Sequence, residues 1–209
     1  MLGASVFDLD GGRPCLDFAN TLSATSGEHL FSNADLLAFA DQSGLLTRDD
    51  LEWLRAEGER DPARAEAVLV RAHRLRAAIY AIFSAIAAGE RARQDDLDLL
   101  NLELAGALRH AGVVPNGNDD ERGYRWGWGA PDIDAPLWSI CRSAAELLTS
   151  NEDNRRVREC GGEDCRWLFL DTSKNRSRQW CSMQSCGNRH KARRHYQRRR
   201  ALRPGLAED

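Results

Sequence analysis

Four cysteines gathered in one short stretch constrain this chain more than any other feature. Cys160 and Cys165 have four residues between them, and Cys181 and Cys186 repeat that spacing. Each pair can be presented by one tight knuckle or helix end, and two pairs complete a tetrahedron around one zinc ion at about 2.3 Å per sulfur. Gly161 and Gly162 permit the reversal that the first knuckle needs, and Gly187 frees the turn after the second pair. Four thiolates leave no coordination position for water or substrate, so the expected zinc is structural. A module of about 50 residues has little core of its own, and the ion compensates for that. His190 and His195 are the alternative donors for one thiolate position. Cys15 and Cys141 stand alone among apolar neighbours and read as small buried hydrophobes.

Between the two pairs, Trp167-Leu-Phe-Leu170 and Arg178-Gln-Trp180 read as two strands joined by the polar loop 171–177. A knuckle, a hairpin and a helix starting at the second pair describe a treble-clef-like finger with a long basic helix. That helix carries Arg189, Lys191, Arg193, Arg194, Arg198, Arg199, Arg200 and Arg203, with His190, His195 and Tyr196 interleaved. At 100° per residue, Arg189, Arg193, Arg200 and Arg203 share a face with Tyr196, while Lys191, Arg194 and Arg198 lie opposite. No apolar stripe is left to dock such a helix along its length, so it should project into solvent or onto a partner.

The net charge of −3 hides an asymmetry. Residues 1–150 hold 14 Arg, no Lys and 24 acidic residues, net −10; residues 151–209 hold 15 Lys and Arg against 8 acidic residues, net +7. From Lys174 to Arg203 there are eleven cations and no carboxylate side chain. Such a run repels itself unless an anion compensates it. The partner expected is therefore nucleic acid, gripped through Lys174, Arg176, Arg178, Arg189, Lys191, Arg193, Arg194, Arg198, Arg199 and Arg200, because arginine binds phosphate or guanine bidentately.

The acidic part reads as one α+β domain, 1–150, mostly helical with small β elements, followed by the finger over 155–203. Ser5-Val-Phe-Asp-Leu9 suggests a short strand. Ser32 or Asn33 caps a helix ending near Gly44, and Thr47 caps another. The clearest helix begins with Asp61 as cap and Pro62 at its first position, and carries an apolar stripe from Val68 to Ile86 before Gly89. Another runs from about Gln94 to Gly112. Asn116-Gly-Asn-Asp119 is a turn signal between Val113-Val114 and Tyr124-Arg-Trp-Gly-Trp128, which predicts a hairpin. Pro136 then opens a helix through Leu148.

No run of about 18 apolar residues exists, and Asp8 and Asp10 stand where a signal peptide would be basic. The expectation is a soluble, cytoplasmic protein without membrane partners. No His-Glu metal motif, phosphate-binding glycine loop or nucleophile elbow is present, which argues against an enzyme. Arg13, Asp17, Asn20 and Thr21 are the candidate lining of a small-molecule pocket; the competing reading is that they cap helices and satisfy buried backbone groups.

Cys186-Gly-Asn-Arg189, with Trp167-Leu-Phe-Leu-Asp171, Ser173-Lys-Asn175 and Arg178-Gln-Trp-Cys-Ser-Met183, resembles the CGNR zinc-finger family of bacterial proteins. Gly12-Arg-Pro-Cys-Leu-Asp-Phe-Ala-Asn-Thr21 is similar to the opening signature of the partner ABATE domain. The resemblance implies one zinc, DNA binding and a transcription regulator connected with stress responses. As in many small bacterial regulators, the acidic domain is expected to sense a small-molecule signal or to form a homodimer. RNA binding, a protein-docking finger and an enzyme with an unrecognised N-terminal active site are the alternatives.

Overall fold

The computed structural model describes residues 7–115 and 123–201, the last three by backbone alone. Arg203 and the Asn116-to-Asp119 turn lie outside the described residues, as do the side chains of Arg199 and Arg200.

Helices α2 (Asn33–Gln42) and α3 (Arg48–Arg60) begin with reciprocal capping boxes, Ser32 with Asp35 and Thr47 with Asp50. Each cap satisfies backbone donors that a helix start would otherwise leave unpaired. Helix α4 (Pro62–Ala87) starts as the sequence predicts, with Asp61 accepting from the Arg64 N–H and Pro62 in the first turn. It is the axis of the molecule and buries Val68, Leu69, Ala72, Leu75, Ile79, Ile82 and Phe83. Gly89, at φ +78°, ends the run in the left-handed conformation that glycine adopts without a Cβ clash.

Helices α5 (Gln94–Leu108) and α6 (Ala135–Thr149) pack together, and α5 also packs along α4. The short α1 (Pro14–Ala19) threads between α4 and α6 with Cys15, Leu16, Phe18 and Ala19 fully inside. Cys15 and Cys141 are buried, and desolvation pushes both thiols up to about 12, so both behave as the inert hydrophobes expected.

Among the described residues, three two-stranded antiparallel sheets complete the fold: β1 (Leu22–Ser23) with β2 (Gly27–Glu28), β3 (Ala111–Pro115) with β4 (Tyr124–Trp128), and β5 (Val157–Glu159) with β6 (Leu168–Leu170). The predicted hairpin is present, with Val113 opposite Trp126. Gly112 lies within β3; α5 already ends at Leu108.

Two strand expectations fail. Phe7 to Leu9 form no strand; Phe7 instead pairs its backbone with the Gln42 side chain and packs edge-on against Phe39. Residues 178–180 do not pair with 167–170 either. The partner of β6 is β5, and the first cysteine knuckle is the turn of that hairpin. The Asp171 carboxylate explains the change, because it accepts from the Ser173 and Arg178 N–H groups and closes 171–178 into a loop of its own.

The hairpin β5–β6 belongs to the main core. Val157, Leu168 and Leu170 join the cluster formed by α1, α4 and α6, whereas Phe169 faces the cysteines. The alternation of a strand thus sends neighbouring side chains into two different cores.

Candidate metal centre and nucleic-acid interface

All four cysteines of the predicted set are buried, and their Sγ atoms lie within 4.8 Å of one another. Cys181 Sγ stands 3.6 Å from Cys165 Sγ and 3.7 Å from Cys186 Sγ. A tetrahedron with zinc–sulfur bonds of about 2.3 Å has edges of about 3.8 Å, so the donor set fits one zinc ion. Four thiolates close the coordination sphere, which makes the ion a structural one.

Local geometry shows why the chain delivers these thiols. Cys160 N–H donates to Trp167 O at 2.8 Å, extending the β5–β6 ladder by one step, and Cys165 N–H closes the knuckle on Gly162 O at 3.1 Å. A Cβ on Gly162 would meet Cys165 Cβ at 3.1 Å and two cysteine sulfurs at 3.5 and 3.6 Å, so the knuckle closes this tightly around a glycine. The second pair is anchored to the first: Gly161 N–H donates to Gln179 O at 2.9 Å, and Cys181 N–H donates to Cys160 Sγ at 3.3 Å. Cys186 sits in a single wide turn, Met183–Gly187, that leads directly into α7 (Asn188–Ala201). His190 is no ligand here; its ring rests 4.6 Å from that of Trp180. His195 is exposed on α7.

The basic helix stands clear of the core. Every described side chain from Asn188 to Arg198 is exposed. Arg193 pairs with Glu163 of the first knuckle, while Arg189, Lys191, Arg194 and Arg198 have no ion-pair partner among the described residues. Lys174 and Arg176 are exposed on the loop after β6.

Arg178, expected as a phosphate contact, has another task. Its guanidinium donates to the carbonyls of Trp180 and Cys181 and lies 4.6 Å from the Phe169 ring. It thereby ties the approach to Cys181 onto the β5–β6 hairpin.

The proposed pocket residues separate. Asp17, Asn20 and Thr21 border a cavity of about 50 Å³ together with His29 and Trp167. That is room for water or a small ion, not for a typical organic ligand. Arg13 faces elsewhere and pairs with Asp153 at 2.5 Å. The other three serve the backbone. Asn20 accepts from Leu168 N–H at 2.8 Å and donates to Leu168 O at 2.9 Å, filling the place of a missing strand partner. Asp17 accepts from Gly11 N–H at 2.7 Å, and Gly11 O accepts from Leu170 N–H at 2.8 Å. Thr21 donates to Phe18 O and accepts from buried Arg76.

Arg76 itself escaped the sequence reading. It holds Glu28 with two parallel bonds of 2.6 and 2.5 Å. Burial pushes the Glu28 carboxyl up, but these bonds and two backbone N–H donors outweigh it and bring the group down to about 2. Its only sequence signal was an arginine interrupting the apolar stripe of α4.

A mostly helical domain, a hairpin knuckle and four converging thiols define a zinc-finger protein with an appended basic helix. The profile of the CGNR zinc finger matches residues 156–199. The profile of ABATE, described as "Putative stress-induced transcription regulator", matches residues 12–151, and the chain belongs to that family. None of the curated proteins compared with the chain matches it.

Proposed function

We propose that this protein is a DNA-binding transcription regulator of the cytoplasm, in which the zinc finger presents α7 to the duplex and no reaction is catalysed. One observation carries the reading: an exposed helix on which Arg189, Lys191, Arg194 and Arg198 have no counter-charge among the described residues. Its 14 residues span about 21 Å at about 1.5 Å each, enough to cross a major groove about 12 Å wide. Lys174 and Arg176 add cations from the neighbouring loop. Cations on all sides of the helix favour a grip on phosphates over the reading of base edges.

Fluorescence anisotropy of the zinc-loaded chain with a duplex of random sequence tests the proposal. With about five phosphates neutralised, affinity should fall by about 500-fold between about 50 and 200 mM salt. Absence of binding at low salt would overturn the reading, and stronger competition by RNA than by DNA would reassign the partner.

A further inference from the structure

We propose that the crevice between the β3–β4 hairpin, the Gly44–Thr47 loop and α6 binds a small aromatic carboxylate. It encloses about 490 Å³, within the range of about 300–1,000 Å³ typical of small-molecule sites. Three indoles, Trp126, Trp128 and Trp138, line it, and Arg125 and Arg142 supply two cations. This site is separate from the small cavity beside Asp17 and from the finger.

The state of each polar group sets the class of ligand. Asp50 is the carboxylate in the lining, and it is committed to the α3 cap, accepting from Thr47 Oγ1 at 2.6 Å and Thr47 N–H at 3.3 Å. The Trp128 indole N–H is committed to Ser139 Oγ at 2.8 Å, and Ser139 in turn donates to Leu45 O. Arg142 is different. Its guanidinium lies 6.0 and 5.8 Å from the ring centroids of Trp126 and Trp128. Its Nη1 has one ion pair, at 3.2 Å, with the largely exposed Glu146, and its Nε is buried without a hydrogen-bond partner among the described residues, which leaves the Nη groups to meet a ligand. A five-donor group so thinly partnered, beside aromatic walls, calls for an anion on a flat apolar body. A cationic ligand would be repelled by Arg125 and Arg142, and a neutral one would not compensate their charge.

A second crevice of about 360 Å³ shares Leu45, Ser139 and Arg142 with the first and reaches the Arg13–Asp153 pair. A carboxylate held by Arg142 would therefore sit beside the segment that leads into the finger.

The test is isothermal titration of the zinc-loaded full chain with benzoate, indole-3-acetate and 1-naphthoate, using indole-3-acetamide as the uncharged control. At least one acid should bind saturably at one site per chain, with the amide weaker by about tenfold or more. Arg142→Gln should abolish that preference for the acid, and Trp126→Ala, at a half-exposed position, should weaken binding of acid and amide alike. Zinc content and melting temperature verify that both variants fold. Silence of all three acids at millimolar concentration, equal binding of acid and amide, or indifference of folded variants to the change would each overturn the proposal. The readout does not involve DNA, so its failure leaves the proposed function standing.

Discussion

The first hairpin of the finger and its last helix belong to one zinc-stapled module, yet they meet their surroundings in opposite ways. Strand β6 is buried throughout, and Asn20, Gly11 and the core contacts of Leu168 and Leu170 hold it from the N-terminal side. Helix α7 has exposed described side chains and touches the finger through its first turn and the Arg193–Glu163 pair. The module is thus fixed as a rigid extension at one end and presented at the other. Substitutions in the two regions should differ accordingly, and their effects can be ranked.

Metal removal is the largest expected effect, because zinc joins the docked half to the free half. Structural zinc contributes about 10 kcal/mol or more to small fingers. Chelation, or Cys181→Ser, should release the one ion per chain and melt the 14 residues of α7, seen as lost helical dichroism, while α2 to α6 persist. Atomic absorption gives the stoichiometry. Retention of α7 after complete metal loss would show that the helix does not depend on the centre.

Asn20→Ala comes next. It leaves the buried Leu168 N–H and C=O without partners, at about 1–3 kcal/mol for each unsatisfied group. A loss of about 2–6 kcal/mol in urea unfolding is expected, with zinc content unchanged, since the ligands lie beyond the clasp. A loss near zero would mean that β6 is held by its apolar contacts alone.

Asp17 belongs to the same clasp, and its effect depends on pH. Burial pushes its carboxyl up to about 6; the Gly11 N–H bond lowers it and the Asp10 charge adds to the rise. In the unfolded chain it returns toward 3.8. Between those values the folded state holds a proton that the unfolded state has released, so stability falls as pH rises through this window. The cost is complete above about pH 6. Asp17→Asn keeps an acceptor for Gly11 and removes the charge. It should stabilise the protein by about 2 kcal/mol at neutral pH and by almost nothing near pH 4. Urea titrations at both pH values decide it; a difference independent of pH would place the charge elsewhere.

The contrast between clasp and helix also explains what could be read from the sequence. The cysteine spacing, the caps at Ser32, Thr47 and Asp61 and the cation run of α7 as far as Arg198 are local signals, and each appears in the structure where the sequence puts it. The strand partner of β6 is not local. Trp167-Leu-Phe-Leu170 has equal β character whichever segment it pairs with, and the choice falls to the knuckle between Cys160 and Cys165. Asn20 reaches across 148 residues to its partner, and nothing around it announces that contact. Arg178 read as one more cation of a basic tract, because its carbonyl partners form only once the loop 171–178 has closed. The aromatic crevice was likewise out of reach, since its lining comes from four separate segments.

The smallest expected effect is the most discriminating. Replacing Arg189, Lys191, Arg194 and Arg198 together by Gln removes four exposed charges that have no ion-pair partner among the described residues. Glutamine has nearly the same helix propensity, and less self-repulsion offsets what little is lost. The melting temperature should therefore hardly move, with a change in stability of about 0.5 kcal/mol or less. Calorimetry at matched zinc content measures this. A substantial destabilisation would mean that these cations pair with carboxylates of the acidic domain in solution, and the helix would then be a docked element like β6. An unchanged melt, combined with a salt dependence of DNA binding that is shallower by about 0.9 for each lost contact, would separate the two regions fully: one holds the finger, the other holds the partner.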